Sequence, residues 1–356
     1  MSGKLVLVTG ATGFISGHVV EHALNAGYRV RGYDGRHLLW PKIDRLKEIQ
    51  VPRLEFVQIE DITKGDLSKA LEGVDVVIHV ACPLPGTAPS DEVINVAIEG
   101  TLNFVRQGEK LGIKKFIVTS SFGVTMDPSL LPAFSGTTFT AAGNHTLSST
   151  GRIGNNGIVD WGSTSREEIE KHKDDPFYTY FASKNVAERA LWDFARDHPD
   201  IDIATVLPGI VYGPFAKIMP RPRSFNELSS NSLIYTLLSG ETPLPLPPFV
   251  VDVRDVARAH IKAIDLPPSA REDIGNKRFL INAGNMTWSE ITQHLSKARP
   301  EIPVGEVNRF EKLPGPASVL DSSKEQEVLG IGQFINPVKT MEDTANDVWA
   351  LMKEWK

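Results

Sequence analysis

Along the first two thirds of the chain, short apolar runs rich in β-branched residues alternate with longer stretches whose apolar positions recur every three or four residues. The runs KLVLVT (4–9), YRVRGY (28–33), LEFVQI (54–59), VDVVIHV (74–80), KFIVTS (115–120), IDIATVL (201–207) and RFLIN (278–282) are predicted strands. Their apolar character is near-continuous, with no strict alternation, as in strands covered on both faces by helices, and this predicts a parallel sheet. Helical spacing predicts helices at about 14–26, 89–111 and 180–197, the second carrying Val93, Ala97, Leu102, Phe104 and Val105. Further helices are expected at about 252–265 and from Trp288 and Pro337 onward. Regular strand–helix alternation implies right-handed crossovers and a doubly wound α/β sheet.

Two stretches break this rhythm. Residues 127–165, rich in Gly, Ser, Thr and Asn, follow the fifth strand and read as a long loop beside its carboxyl end. Residues 214–249, where PRPR and TPLPLPP flank FNELSSNSLIYTLL, read as an inserted lobe. The expected organisation is a dinucleotide-binding (Rossmann) domain over 1–208 with a return segment at about 249–283, and a smaller, mostly helical substrate lobe from about 209–248 and 284–356.

Composition narrows the function classes. A net charge of −6 over 356 residues, without a long run of either sign, makes nucleic acid an unexpected partner. The single cysteine, Cys82, excludes an intramolecular disulfide and a cysteine zinc site and fits a reducing compartment. The nine histidines contain no HExxH or similar ligand pair, so no metal is expected. The apolar run at 5–8 is too short for a signal-peptide core, and no segment approaches the roughly 18 apolar residues of a membrane span. A cytoplasmic enzyme-like globule is expected, as a monomer or as a homodimer paired through the helices at 89–111 and 180–197.

The first strand runs into VTGATGFISGHVV, with Gly10 and Gly13 three apart at a strand–turn–helix junction. The first glycine permits the tight bend, the second lets backbone approach a pyrophosphate, and the following helix N-terminus offers free N–H groups to phosphate. Gly10, Thr12, Gly13, Phe14 and Ile15 are the candidate cofactor-binding residues of this turn, and Ser16 holds the third small position. Asp34 follows the second strand 24 residues after Gly10, close to the roughly 20 expected of an acid that binds an adenosine ribose. Such an acid repels a 2′-phosphate and favours NAD(H), whereas Arg36 or Arg31 could pair with that phosphate; a plain surface-turn acid in DGR remains open. Asp61 in QIEDIT is placed for the adenine edge, or is a loop acid.

In FYTYFASK a helix puts Lys184 beside Tyr180, four residues away, and leaves Tyr178 facing Ala182. A tyrosine titrates near 10, so proton exchange at neutral pH needs a stabilised phenolate, which a neighbouring ammonium provides. The fifth strand ends in Ser120 and Ser121, at the sheet edge where ligands of doubly wound folds lie. A serine there is able to hold a carbonyl oxygen, or simply to bond the local backbone.

TGATGFIS, the Ser120-Ser121 strand end, YFASK, LPGIVYGP (207–214) and VDVRDVARAH (251–260) together resemble the extended short-chain dehydrogenase/reductase family. VIHVACP, NVAIEGTLN, IVTSS and Asp160-Trp161 resemble its branch of dihydroflavonol reductases and fungal and yeast aldehyde and methylglyoxal reductases. The resemblance spans nearly the whole chain. It implies Tyr180 as proton donor and acceptor, Lys184 as its partner and holder of the nicotinamide ribose, and Ser121 as the carbonyl-binding serine. It also places Pro208 and Gly209 at the nicotinamide, Val80 and Ala81 along the middle of the cofactor, and Ile62 next to Asp61 near the adenine. Most members of that branch carry an arginine after the second strand to hold NADPH; Gly35 aligns there, preceded by Asp34, so NAD(H) is expected over NADP(H). The loop from Ser121 to Tyr180 is longer than the branch pattern. Phe122, Tyr178 and Phe215 are candidate substrate contacts, among aromatic residues that also include Phe139, Trp161, Phe177 and Phe249.

The expected function is hydride transfer between a nicotinamide and a small ketone or aldehyde. A nucleotide-sugar epimerase or dehydratase shares the same residues and is the enzyme alternative, and a non-catalytic cofactor sensor on this fold is the alternative of another class.

Overall fold

The computed structural model describes residues 3–33, 44–46, 50–59, 61–141, 158, 159, 161–269, 276–306, 310 and 312–355. Asp34, Arg36 and Asp160 lie outside the described residues.

Seven strands form the central sheet: β1 (Leu5–Thr9), β2 (Arg29–Tyr33), β3 (Leu54–Val57), β4 (Val76–His79), β5 (Lys115–Thr119), β6 (Asp202–Pro208) and β7 (Arg278–Ile281). All pairings in it are parallel, in the spatial order β7-β6-β5-β4-β1-β2-β3. The continuous apolar runs are explained by this arrangement, since β1 and β4 are buried along their whole length. The fold is a doubly wound α/β sheet of Rossmann type. Strand order reverses between β1 and β4, and the crevice at their carboxyl ends is where such sheets bind ligands.

Helices cover both faces. On one side α1 (Phe14–Asn25) and α4 (Val253–Ile264) enclose Val6, Val8, Val19, Val20, Val256 and Ile117. On the other, α2 (Ser90–Lys110) and α3 (Pro176–Asp197) enclose Leu7, Val77, Phe104, Phe116 and Leu191. The expected start of α3 near 180 is four residues late: Asp175 caps the helix by accepting from the Phe177 and Tyr178 N–H groups, with Pro176 at its first position. The pair Tyr180 and Lys184 therefore sits inside the helix, held by α2 along its flank.

Residues 214–249 form mostly irregular backbone with a short helix at Ser232–Leu238. Their apolar residues join α5 (Trp288–Ala298) and α6 (Pro337–Glu354) in a second core built from Leu233, Ile234, Leu237, Ile291, Leu295, Met341 and Val348. A small sheet of Phe249–Asp252 between Ile210–Tyr212 and Gly284–Asn285 ties this core to the ends of β6 and β7. Within the stretch expected to be one long loop, Thr138–Phe139 pairs with Ile158–Val159 and with Val319–Leu320. No helix among the described residues is long and apolar enough to cross a membrane.

Candidate active site

The turn between β1 and α1 is built to receive an anion. Gly10 has φ +63°, and a Cβ there would lie 3.2 Å from the Ala81 Cα, so both the bend and the close approach of β4's exit require glycine. The Gly13 N–H donates to Gly10 C=O at 2.8 Å, and the Ser16 hydroxyl donates to the same carbonyl. Gly13 is the N-cap of α1 and brings no side-chain cap, and the first turn holds no acidic residue. Free N–H groups and the positive helix end thus face the crevice, which fits the pyrophosphate of a dinucleotide. Ile15, Val80, Pro208 and Gly209 line the same cleft, of about 500 Å³, whereas Ala81 lines a small neighbouring cavity that shares Cys82 and Lys184 with it.

Tyr180 and Lys184 form its floor. The Lys184 Nζ lies 5.9 Å from the centre of the Tyr180 ring and donates to the Thr119 C=O at 3.2 Å. Burial holds the Tyr180 phenol above its ordinary value, with the Lys184 ammonium pulling it back down. The phenol is therefore protonated at neutral pH, the form that gives up a proton. Burial works against the Lys184 ammonium, but Cys82, Tyr180 and Glu188 together keep its pKa above that of an ordinary lysine.

The adjacent serines separate. The Ser120 hydroxyl turns inward and donates to the Glu188 carboxylate. Ser121, at the mouth of β5, accepts the Gly123 N–H at 3.2 Å, which leaves its hydroxyl proton available to the cleft. Glu188, one turn beyond Lys184, also accepts from Arg278 Nε at 2.7 Å and from Trp192 and Thr205, both at 3.2 Å. Arg278 is fully buried, with its guanidinium 3.6 Å from the Trp161 ring. Trp161 thus packs on the ion pair behind the site and is not a cleft wall.

Two buried histidines tie the strand ends together in neutral form. The Thr9 hydroxyl accepts the Val80 and Ala81 N–H groups, so its proton goes to His79 Nδ1 at 3.0 Å. His260 Nδ1–H donates to Val256 C=O, so its Nε2 accepts from the Thr119 hydroxyl at 2.7 Å. Burial lowers His79 to about 3 and His260 to about 4. Their folded pKa values lie below the unfolded ones, so the unfolded chain holds the extra protons and stability falls as pH drops below about 6.5. Glu325, pushed up to about 7 by burial, works in the opposite sense. Burial also lowers His18 and raises Asp255, so the lowered histidines outnumber the raised carboxyls and stability is expected to fall as pH drops from roughly 6.5 to 4.5. Urea midpoints measured across that range check it; a flat profile contradicts it.

Several sequence expectations change. Tyr178 does not line the cleft; it stacks on His172 at 4.2 Å and packs with Ile169 and Ala182. Phe215 packs on Phe14 at 5.5 Å and its N–H donates to Asp347, also outside the cleft lining. Phe139 and Phe249 are core residues, whereas Phe122 and Phe177 do line the cleft. After β3, Asp61 Oδ1 accepts from Thr63 and Lys64 and the Ile62 C=O accepts from Asn103, which fixes the turn that carries these two cofactor candidates. Arg31 is spent on Glu55 and on the carbonyls of Ala70 and Glu72. Residue patterns gave no sign of the outer wall, formed by Leu84, Phe225, Leu233, Leu244 and Leu246; the proline-rich interruption marked the lobe but not which apolar residues turn toward the cleft.

A doubly wound sheet with an anion-binding glycine turn and a tyrosine–lysine pair at its carboxyl edge defines an NAD(P)-dependent oxidoreductase. Residues 7–137 match the model of the 3-beta hydroxysteroid dehydrogenase/isomerase family and residues 145–276 that of the NAD dependent epimerase/dehydratase family. An uncharacterised oxidoreductase of Schizosaccharomyces pombe is 31% identical over 100% of both chains. The ketoreductase azaE of Aspergillus niger is 31% identical over 92% of this chain and 93% of its own. Gre2 from Candida albicans, solved in complex with NADPH, superposes with a TM-score of 0.77 at 26% identity, covering 98% of this chain and 99% of that one. The chain belongs to the extended short-chain dehydrogenase/reductase family, in the dihydroflavonol and methylglyoxal reductase branch, and is an NAD(P)-dependent carbonyl reductase.

The expected preference for NAD(H) is overturned by the NADPH held by the similar reductases. Asp34 therefore does not decide the preference by itself; Arg36, two residues on, has the charge complementary to a 2′-phosphate, and both lie outside the described residues.

Proposed function

We propose that the chain uses NADPH to reduce ketones or aldehydes bearing an apolar substituent, with Tyr180 as the proton donor. The observation that carries this reading is the Tyr180–Lys184 pair on the floor of a cleft whose mouth exposes Leu84 (44%), Phe225 (46%) and Leu244 (47%). Apolar side chains left in water at a concave site favour a substrate that covers them.

Gly10, Thr12, Gly13, Phe14 and Ile15 would hold the cofactor pyrophosphate, Val80 and Ala81 its middle, and Pro208, Gly209 and Lys184 its nicotinamide end. NADPH supplies the hydride when bound. Ser121 donates a hydrogen bond to the substrate carbonyl oxygen and fixes its position. Tyr180 passes its phenolic proton to the same oxygen as negative charge develops there, and Lys184 stabilises the phenolate left behind. Exchange with solvent then restores the phenol. The enzyme works in the cytoplasm, the compartment its free thiol fits, as a monomer or homodimer.

The match to the epimerase/dehydratase model favours a second reading, a nucleotide-sugar epimerase. It ranks lower because Lys184 is the only cation among the described residues lining the cleft, and a nucleoside diphosphate calls for more. A panel of carbonyl substrates run in parallel with NADPH and NADH tests the proposal. The expected result is net cofactor oxidation, favouring NADPH in kcat/KM by at least about tenfold, the worth of one charge-assisted hydrogen bond, and favouring aryl or alkyl ketones and aldehydes over small polar ones. Equal use of NADH would contradict the cofactor reading. Tightly held NAD with no net oxidation would replace the reductase by the epimerase.

A further inference from the structure

The sequence HVVEH on α1 has the spacing H-x-x-E-H, the reverse of the HExxH pattern. On a helix, His18, Glu21 and His22 stand at i, i+3 and i+4 and share one face. One ligand atom from each lies within 4.8 Å of the other two. The His18 Nδ1 to Glu21 Oε2 distance is 3.9 Å, and the two imidazole rings are 6.3 Å apart between centres.

The hydrogen bonds decide which nitrogens are free to ligate. His18 Nε2 lies 2.8 Å from the Pro214 carbonyl oxygen, which only accepts, so this nitrogen carries the proton and Nδ1 keeps its lone pair. His22 Nδ1 lies 2.9 Å from the His18 carbonyl oxygen and is protonated for the same reason, which leaves Nε2 bare. Metal-ligating histidines are oriented in this way, with the second ring N–H given to a carbonyl or carboxylate. His18 is only 3% exposed, and its Nδ1 is buried without a hydrogen-bond partner. Buried polar atoms nearly always find a partner, so an unmet lone pair facing a carboxylate and a second imidazole points to a ligand. Glu21 and His22 are half-buried, which leaves a path for an ion to enter.

We propose that His18 Nδ1, Glu21 and His22 Nε2 form a site for one divalent transition ion of the zinc class, with water completing the coordination. Two imidazoles and a carboxylate suit Zn²⁺ and Co²⁺ and disfavour Mg²⁺ and Ca²⁺, which take oxygen ligands. Because His18 is anchored to the carbonyl of Pro214, an ion bound here fastens α1 to the start of the 214–249 segment.

The test uses the full chain without a histidine tag, stripped by chelator and titrated with Co²⁺, whose visible absorption reports the coordination, and with Zn²⁺ in competition. The expected result is saturable binding of one ion, displaced by Zn²⁺ and not by Mg²⁺, together with a Zn²⁺-dependent rise in Tm. His22→Ala, which places a strong helix former at a half-buried position, is expected to weaken binding at least about tenfold and to abolish the rise in Tm. Glu21→Gln serves as the second variant should His22→Ala fail to fold. Absence of saturable binding, or both variants binding like the parent, would overturn the proposal. An intense near-ultraviolet sulfur-to-Co²⁺ band would also overturn it, by moving the ion to Cys82.

Discussion

Tyr180→Phe is expected to lower kcat by roughly 10²- to 10⁴-fold, the usual contribution of a positioned general acid, while NADPH binding stays near the parent value. The expectation follows from where the ring sits. Tyr180 is held inside α3, its phenol kept protonated by burial, with the Lys184 ammonium ready to take up the charge that proton loss creates. Removing the hydroxyl oxygen removes the proton donor and leaves the glycine turn, Lys184 and the strand ends unaltered, so cofactor titration and turnover should part company. A loss shared equally between cofactor affinity and turnover would assign Tyr180 a binding role. Retention of most of the rate would remove it from the mechanism.

Arg278→Met is expected to cost about 3–5 kcal/mol of stability, the usual effect of stranding one partner of a buried ion pair. Glu188 would remain in a site shut off from water without its direct ion-pair partner, although Ser120, Trp192 and Thr205 would still donate to it and the Lys184 ammonium lies one turn away. The double variant Glu188→Gln/Arg278→Met should recover part of that loss, since the stranded charge is then gone. Urea denaturation of the parent, both single variants and the double variant measures the coupling; additive losses would mean that the two side chains act separately. The pair has functional weight because Glu188 is on the helix face of Tyr180 and Lys184 and anchors the serine next to Ser121. It is the brace that fixes α3 against β5, β6 and β7.

The fold and the floor of the site were legible because their physical requirements are local. Continuous apolar runs located the seven sheet strands to within one or two residues, and helical spacing alone assigned Lys184 to Tyr180. Gly10 was readable because a left-handed φ beside Ala81 permits no other residue without strain. The start of α3 was placed late because the cap Asp175 and Pro176 lie among polar residues that carry no periodicity. Tyr178 and Phe215 were expected at the substrate because an aromatic ring near a motif does not reveal its direction; Tyr178 turns onto His172 across the turn before α3, and Phe215 meets Phe14 only through tertiary packing. The division of labour between Ser120 and Ser121 depends on Glu188, 68 residues further along the chain from Ser120. The cofactor preference was not legible because Asp34 and Arg36 stand two residues apart with opposite preferences for a 2′-phosphate, and residue type alone does not say which of them prevails. HVVEH reverses the HExxH order, and what distinguishes it, the anchoring of each ring to a carbonyl, is visible only in three dimensions.

Direct hydride transfer to a carbonyl carbon is the central claim, and an isotope label tests it most plainly. The best carbonyl substrate of the panel is turned over with NADPH carrying deuterium at nicotinamide C4, supplied as each C4 epimer in turn, and the alcohol is examined by mass spectrometry and NMR. The account predicts one deuterium on the carbinol carbon of the product from one epimer and none from the other, in step with net oxidation of NADPH. Product without deuterium from either epimer, or an isomerised substrate with no net oxidation, would contradict it.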